Sequence, residues 1–271
     1  MPDPSACGYP DVETVGVTPG TSLTPVNGVV TLSQSGQVFE NKLVTGSIVV
    51  TATNVTIRNV RLLNTSSSYA ISVRPGQNWD RTDANLLVDH VEIDLGGKLN
   101  IKGIAFNGYT LRNVFMHNGS DCAHFSGNVA IEDSMCVNGP DGNDDGWPDS
   151  TAFCNGTEHF DGFQFSGGGD IRIDHNTMRN PCSQTSNILI SNDPGYNSPI
   201  RDVAVTNNLL AGGGFSLYCA DADDAVASET VTGNRIARTY HARGGYWGAT
   251  AYCDDATSFS GNVWDDTGAA L

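Results

Sequence analysis

EHFDGFQFSGGGDIRIDHNTMR, residues 158–179, holds two short alternating runs parted by a glycine turn. Phe163 and Phe165 alternate with Gly162, Gln164 and Ser166, and Ile171 and Ile173 alternate with Arg172 and Asp174. Alternation with period two marks a strand with one buried face. Gly167, Gly168 and Gly169 supply a sharp bend between the runs. The first run also carries His159, Asp161 and Gln164, polar groups that a purely structural strand does not need. The stretch reads as one coil of a stacked β-solenoid whose first strand carries chemistry.

Its second half recurs along the chain. NVTIRNVRLLN (54–64), NLLVDHVEIDL (85–95), YTLRNVFMHNG (109–119) and NVAIEDSMCVNG (128–139) share its pattern. So do DIRIDHNTMRN (170–180), DVAVTNNLLAG (202–212), SETVTGNRIAR (228–238) and SFSGNVWDD (258–266). Alignment puts Ile57, Val88, Leu111, Ile131, Ile173, Val205, Val231 and Phe259 in one column. Spacings of this size suit three-stranded coils with loops of varied length. The expected fold is an all-β, right-handed parallel β-helix of roughly eight coils with long inter-coil loops. Residues 1–30, rich in Pro, Gly and Thr, read as an extended N-terminal cap, and residues 31–271 as a single β-helix domain. Asn176, Asn208, Asn234 and Asn262 fall at one position in four successive coils and read as a stacked hydrogen-bonded ladder. His90, His117 and His175 read as structural.

Composition agrees. Charged residues are 16% of 271, Gly is plentiful, and no stretch shows sustained helical periodicity. The net charge of −16 argues against a nucleic-acid partner. No apolar run is long enough to cross a bilayer, so no membrane insertion is expected. The first residues lack the basic and apolar regions of a signal peptide. Seven cysteines without CxxC pairing predict two or three disulfides, one free thiol and an extracellular setting, either secreted or carried on a phage particle.

KGIAFNG (102–108), DCAHFSG (121–127), DGFQFSG (161–167) and SNILISN (186–192) superimpose without gaps. Phe106, Phe125, Phe165 and Ile190 form a core-facing column, and Ala105, His124, Gln164 and Leu189 the opposite one. Lys102, Asp121, Asp161 and Ser186 form a third column at the strand entrance. Neighbours in a column stand roughly 4.8 Å apart. Lys102, Asp121, His124, His159, Asp161 and Gln164 are thus the candidate catalytic set, an amine, two carboxylates and two imidazoles in one acid–base cluster. An ordinary strand-end ion pair would explain Lys102 and Asp121 alone, and the imidazoles less well.

Two insertions draw notice. DGNDDGWPD (141–149) matches the first half of a calcium loop, so Asp141, Asn143, Asp145 and Asp149, with Glu158, are candidate Ca²⁺ ligands. A solvated acidic turn is the competing reading. YHARGGYWG (240–248) offers His241, Arg243, Tyr246 and Trp247 as a sugar-binding lip, with Tyr218 and Asp221 to Asp224 on the same side.

NVTIRN (54–59), the HxDGxQ run (159–164) with its glycines and IxIxHN, and SGNVWDDTG (260–268) resemble right-handed parallel β-helix proteins of the pectate-lyase-like superfamily. The opening GYPD and PGTSLT resemble secreted bacterial and phage-associated members. The resemblance implies a polysaccharide partner, while its calcium-aspartate and paired-carboxylate signatures are not evident. Three readings follow. The leading one is a lyase cutting a uronic-acid-containing glycan by β-elimination. The others are a glycoside hydrolase using Asp121 and Asp161, and a non-catalytic glycan-binding or tail module. A monomer and a homotrimer stay open.

Overall fold

The computed structural model describes residues 3–64, 68–155, 159–192, 199–220 and 226–271. Among them there is no α-helix; 21 strands join one continuous sheet whose ladders run parallel. Beyond the first three strands, Thr24–Leu32, Val38–Val50 and Thr56–Leu63, each strand bonds to its counterpart one coil later rather than to its neighbour in sequence. This is a parallel β-helix. Each coil runs through a front, a back and a flank sheet, in that order.

The back sheet carries the repeat. Ile57 pairs with Val88, then Leu111, Ile131, Ile173, Val205, Val231 and Phe259 follow in unbroken register. Phe39 extends this column by one coil before Ile57, so nine coils stand where about eight were expected. Ile57, Val88, Leu111, Ile131, Ile173, Val205 and Val231 are fully buried and pack into one continuous core.

Two left-handed corners shape every central coil. Asn54, Asn85, Asn128, Asp170 and Asp202 lead into back strands at φ between 47° and 62°. Asn59, His90, Asn113, Asp133, His175 and Asn207 lead out of them at φ between 47° and 56°. Asn and Asp tolerate this region because a short polar side chain bonds locally. His90 and His175 therefore hold corner positions, and His175 Nδ1 meets Asp133 at 2.6 Å. His117 does not. It lies within the flank strand Phe115–Gly119 and is fully buried.

The residue after the second corner points inward. Val60, Val91 and Val114 fill this place in early coils, and Ser134, Asn176, Asn208, Asn234 and Asn262 in later ones. The expected ladder is present: Asn176, Asn208 and Asn234 each donate main-chain N–H and side-chain Nδ2 to the Oδ1 of the next Asn at 2.9–3.0 Å. Their Nδ2 groups also reach carbonyls of Ile131, Ile173 and Val205. Buried amides at a tight corner are thus satisfied.

Within the stretch read as a cap, residues Thr24–Leu32 form the first strand, laid on 42–50. The preceding segment runs along the flank: Val12 and Val15 pack on Phe115, Met135 and Val137, and Tyr9 stacks on His175. Disulfides join Cys122 to Cys136, Cys154 to Cys182 and Cys219 to Cys253, leaving Cys7 exposed as a thiol. Three disulfides point to an oxidising, extracellular environment.

Candidate active site

The front sheet places the polar column where alternation put it. Ser72, Ala105, His124, Gln164, Leu189, Tyr218 and Ala251 are successive register partners. Phe125, Phe165 and Ile190 alternate inward into the core. Phe106 is in register with buried Val73 and packs on the edge of the core, but only half-buried. Its φ of 84° belongs to the left-handed region, and its ring also meets Tyr69 and Trp79.

Lys102 is the hub. Its Nζ lies 2.6 Å from Asp121 Oδ2, 3.0 Å from Gln164 Oε1 and 3.5 Å from His124 Nδ1. Three acceptors on two further coils thus surround the three N–H bonds of one ammonium. His124 Nε2 lies 2.9 Å from Ser166 Oγ, which fixes the ring from its other side. With Nε2–H donating to Ser166, Nδ1 carries the lone pair.

Behind this layer sit the carboxyls. Asp121 and Asp161 are each only 3% exposed. Asp161 accepts the main-chain N–H and the hydroxyl of Ser186 at 3.0 Å, and its own N–H reaches Asp121. Burial pushes the Asp161 carboxyl up to about 7, with the Asp121 charge adding to it. Burial also raises Asp121, against the pull of Lys102. Gly162 is required here: a Cβ would meet Asn187 O at 2.5 Å and Met178 Cε at 2.1 Å. His159 is exposed at the edge of the cluster, near enough to act electrostatically on Asp121, with Nδ1 3.1 Å from Thr185 Oγ1.

The aromatic lip borders the same face. Tyr246 and Trp247 donate main-chain N–H to Gly213 and Gly214, immediately before the front strand Phe215–Tyr218. Their rings meet at 4.8 Å and are 46% and 56% exposed. His241 contacts Tyr246 edge-on, and Arg243 bonds the Tyr246 carbonyl. Tyr218 rests on Tyr252 at 5.2 Å. At the other end of the column, Trp79, Tyr69 and Phe106 line a hollow shared with His124, Ala105 and Ser126. Sequence reasoning passed over Trp79, Tyr69, Tyr252 and Ser166. A lone Trp in a polar loop between two front strands is the signal that marks Trp79.

In the acidic insertion Asp141 accepts the N–H groups of Asp145 and Gly146, Asp145 that of Trp147, and Asp149 that of Gly142. Asn143 donates to Asp145. These side chains thus shape the turns of their own loop. Glu158 and Asp221 to Asp224 lie outside the described residues. A different trio, Glu92, His117 and Asp144, converges nearby. Comparison with family models, curated proteins and solved structures finds no match to this chain.

Proposed function

We propose that the front sheet binds a uronic-acid-containing polysaccharide and cleaves it by β-elimination, in an extracellular, secreted or phage-borne protein akin to the pectate-lyase-like superfamily. One observation carries this reading: a half-open ammonium, Lys102, grouped with His124 and Gln164 over two sealed carboxylates. On a chain of net charge −16, an anionic sugar needs such a local cation.

The roles follow from the contacts. Lys102, paired with Asp121 at 2.6 Å, serves as cation rather than base. Lys102 and Gln164 engage the uronate carboxylate and steady the charge that develops on it. The His124 contact with Lys102 is long, so Nδ1 keeps a lone pair for the C5 proton when Lys102 turns to substrate. As that proton leaves, the C4–O bond breaks, a C4–C5 double bond forms, and the leaving oxygen takes the proton back from His124. Tyr218, Tyr246, Trp247 and Trp79 supply stacking faces along the groove.

Sealed carboxylates speak against the hydrolase reading, because both would have to touch the sugar. The test is incubation with a panel of polysaccharides. A lyase releases products with the ultraviolet absorbance of an unsaturated uronate. New reducing ends without that absorbance would replace the proposal with the hydrolase, and saturable affinity without turnover would leave a binding module.

A further inference from the structure

We propose that His117, Asp144 and Asp141 form a binding site for a divalent first-row transition ion on the flank sheet, away from the front groove. His117 lies on the strand Phe115–Gly119, and Asp141 and Asp144 on the acidic insertion. Glu92, on the strand Leu86–Lys98, stands with His117 and Asp144 in one cluster, an atom of each within 4.8 Å of the others.

The decisive atom is His117 Nδ1. The side chain is fully buried against Phe115, and Nδ1 has no hydrogen-bond partner. It faces Asp144 Oδ1 and Asp141 Oδ2, each at 3.7 Å. That separation is too long for a hydrogen bond. It suits two ligands of one ion: bonds of about 2.1 Å opened to roughly 120° put their donor atoms ~3.6 Å apart. His117 Nε2 lies 3.4 Å from Glu92 Oε1 on the other side.

Charge points the same way. Glu92 and Asp144 flank one permanent cation, Arg61, which bonds Glu92 at 3.0 Å and Asp144 Oδ2 at 2.6 Å, while Asp141 faces His117. Three carboxylates against one guanidinium leave a surplus of negative charge, and Arg61 leaves Asp144 Oδ1 turned toward the imidazole. Asp144 and Arg61 side chains are 37% and 39% exposed, which gives an ion a path in from solvent. One imidazole nitrogen with carboxylate oxygens selects a transition ion over Ca²⁺. The bound ion would pin the insertion to the flank strand that carries His117, a structural task.

The experiment uses the full chain carrying Cys7→Ser, so that the exposed thiol takes no metal. After chelation, Zn²⁺ is titrated by calorimetry, and the zinc-loaded protein is studied by X-ray absorption. The expected result is one equivalent bound, with a first shell of one imidazole nitrogen and oxygens at about 2.0–2.2 Å. Asp144→Asn and His117→Asn should each weaken binding by at least about tenfold, while Asp149→Asn leaves it unchanged. Asp144 is at the surface, so its variant and the absorption spectrum decide the matter even if His117→Asn fails to fold. No saturable binding, unaltered affinity in Asp144→Asn, or a shell without imidazole would overturn the site. So would Ca²⁺ binding that depends on Asp149 in a protein that ignores Zn²⁺. In that case a proton on His117 is what the cluster holds.

Discussion

The main-chain N–H of Asp161 donates to Asp121 Oδ1 across 3.2 Å, so two buried carboxyls on neighbouring coils share one field. The consequence is a pH dependence of known sign. The Asp161 carboxyl is pushed up to about 7, by burial first and by Asp121 second. Between the ordinary carboxyl value of 3.8 and that point, the folded protein keeps a proton that the unfolded chain has released. Raising the pH across this window therefore favours unfolding, by up to about 1.4 kcal/mol per pH unit, and the loss levels off above it. Asp161→Asn removes the ionisation while its carbonyl can still accept from Ser186. Urea midpoints of the two proteins should diverge from acid to neutral pH, the variant gaining by a few kcal/mol. Parallel profiles would show that Asp161 ionises in the folded state like any exposed carboxyl.

The same hub sets the expectations for turnover. On whichever glycan the protein cleaves, Lys102→Gln should lower kcat about 10²-fold or more, because it removes the charge that meets the uronate. His124→Ala should cost about 10²–10⁴-fold. Asp121→Asn acts through Lys102 and should show a smaller loss with a shifted pH profile. His159→Ala, outside the hub, should stay close to wild type. Full activity in both Lys102→Gln and His124→Ala would remove this site from the reaction.

The back-sheet column from Ile57 to Phe259 was legible because two rules coincide there. Every second residue is apolar, and every corner carries a residue that accepts positive φ. The Asn ladder was legible for the same reason. The site was less so. Phe106 obeys the alternation and touches the core, yet its backbone is left-handed and its half-buried ring also stacks on Trp79. His117 resembles His90 and His175 in spelling, but those two occupy corners whereas His117 sits inside a strand. In the acidic insertion, side-chain oxygens at alternate positions build Asx turns as readily as a calcium loop, and here they accept backbone N–H groups of their own loop.

The cysteine pattern gives a direct check. Native alkylation should modify Cys7 alone, since it is exposed and the other six are paired. The Cys154–Cys182 bridge, with a sequence separation of 28, ties the long insertion to the coil that follows it. Replacing both with Ser should cost roughly 3–4 kcal/mol on the loop-entropy scale. Limited proteolysis should then open the insertion before the coils. Cleavage at wild-type rates would mean that the insertion is held by its other contacts, among them Arg179 over Trp147.

The Asn ladder separates the worth of a buried bond from that of its place in the stack. Asn208→Ala removes the acceptor of Asn176 N–H and Nδ2 and the donor to Ile173 O and Asn234 Oδ1. Asn262→Ala removes the acceptor of Asn234 N–H and Nδ2 and the donor to Val231 O. Beyond the onward bond of Asn208, the difference lies in what can replace them. Coils stack on both sides of Asn208, which is fully buried, so its stranded donors meet no water. Asn262 belongs to the last coil, beside half-exposed Val263 and Trp264. At about 1–3 kcal/mol for each buried group left unpaired, Asn208→Ala should cost roughly 3–5 kcal/mol and Asn262→Ala markedly less. Nearest-neighbour coupling in a solenoid also predicts that the central variant broadens the unfolding transition, whereas the terminal one only frays the end. Equal losses with equally sharp transitions would mean that the ladder acts as independent corner bonds rather than as a continuous stack.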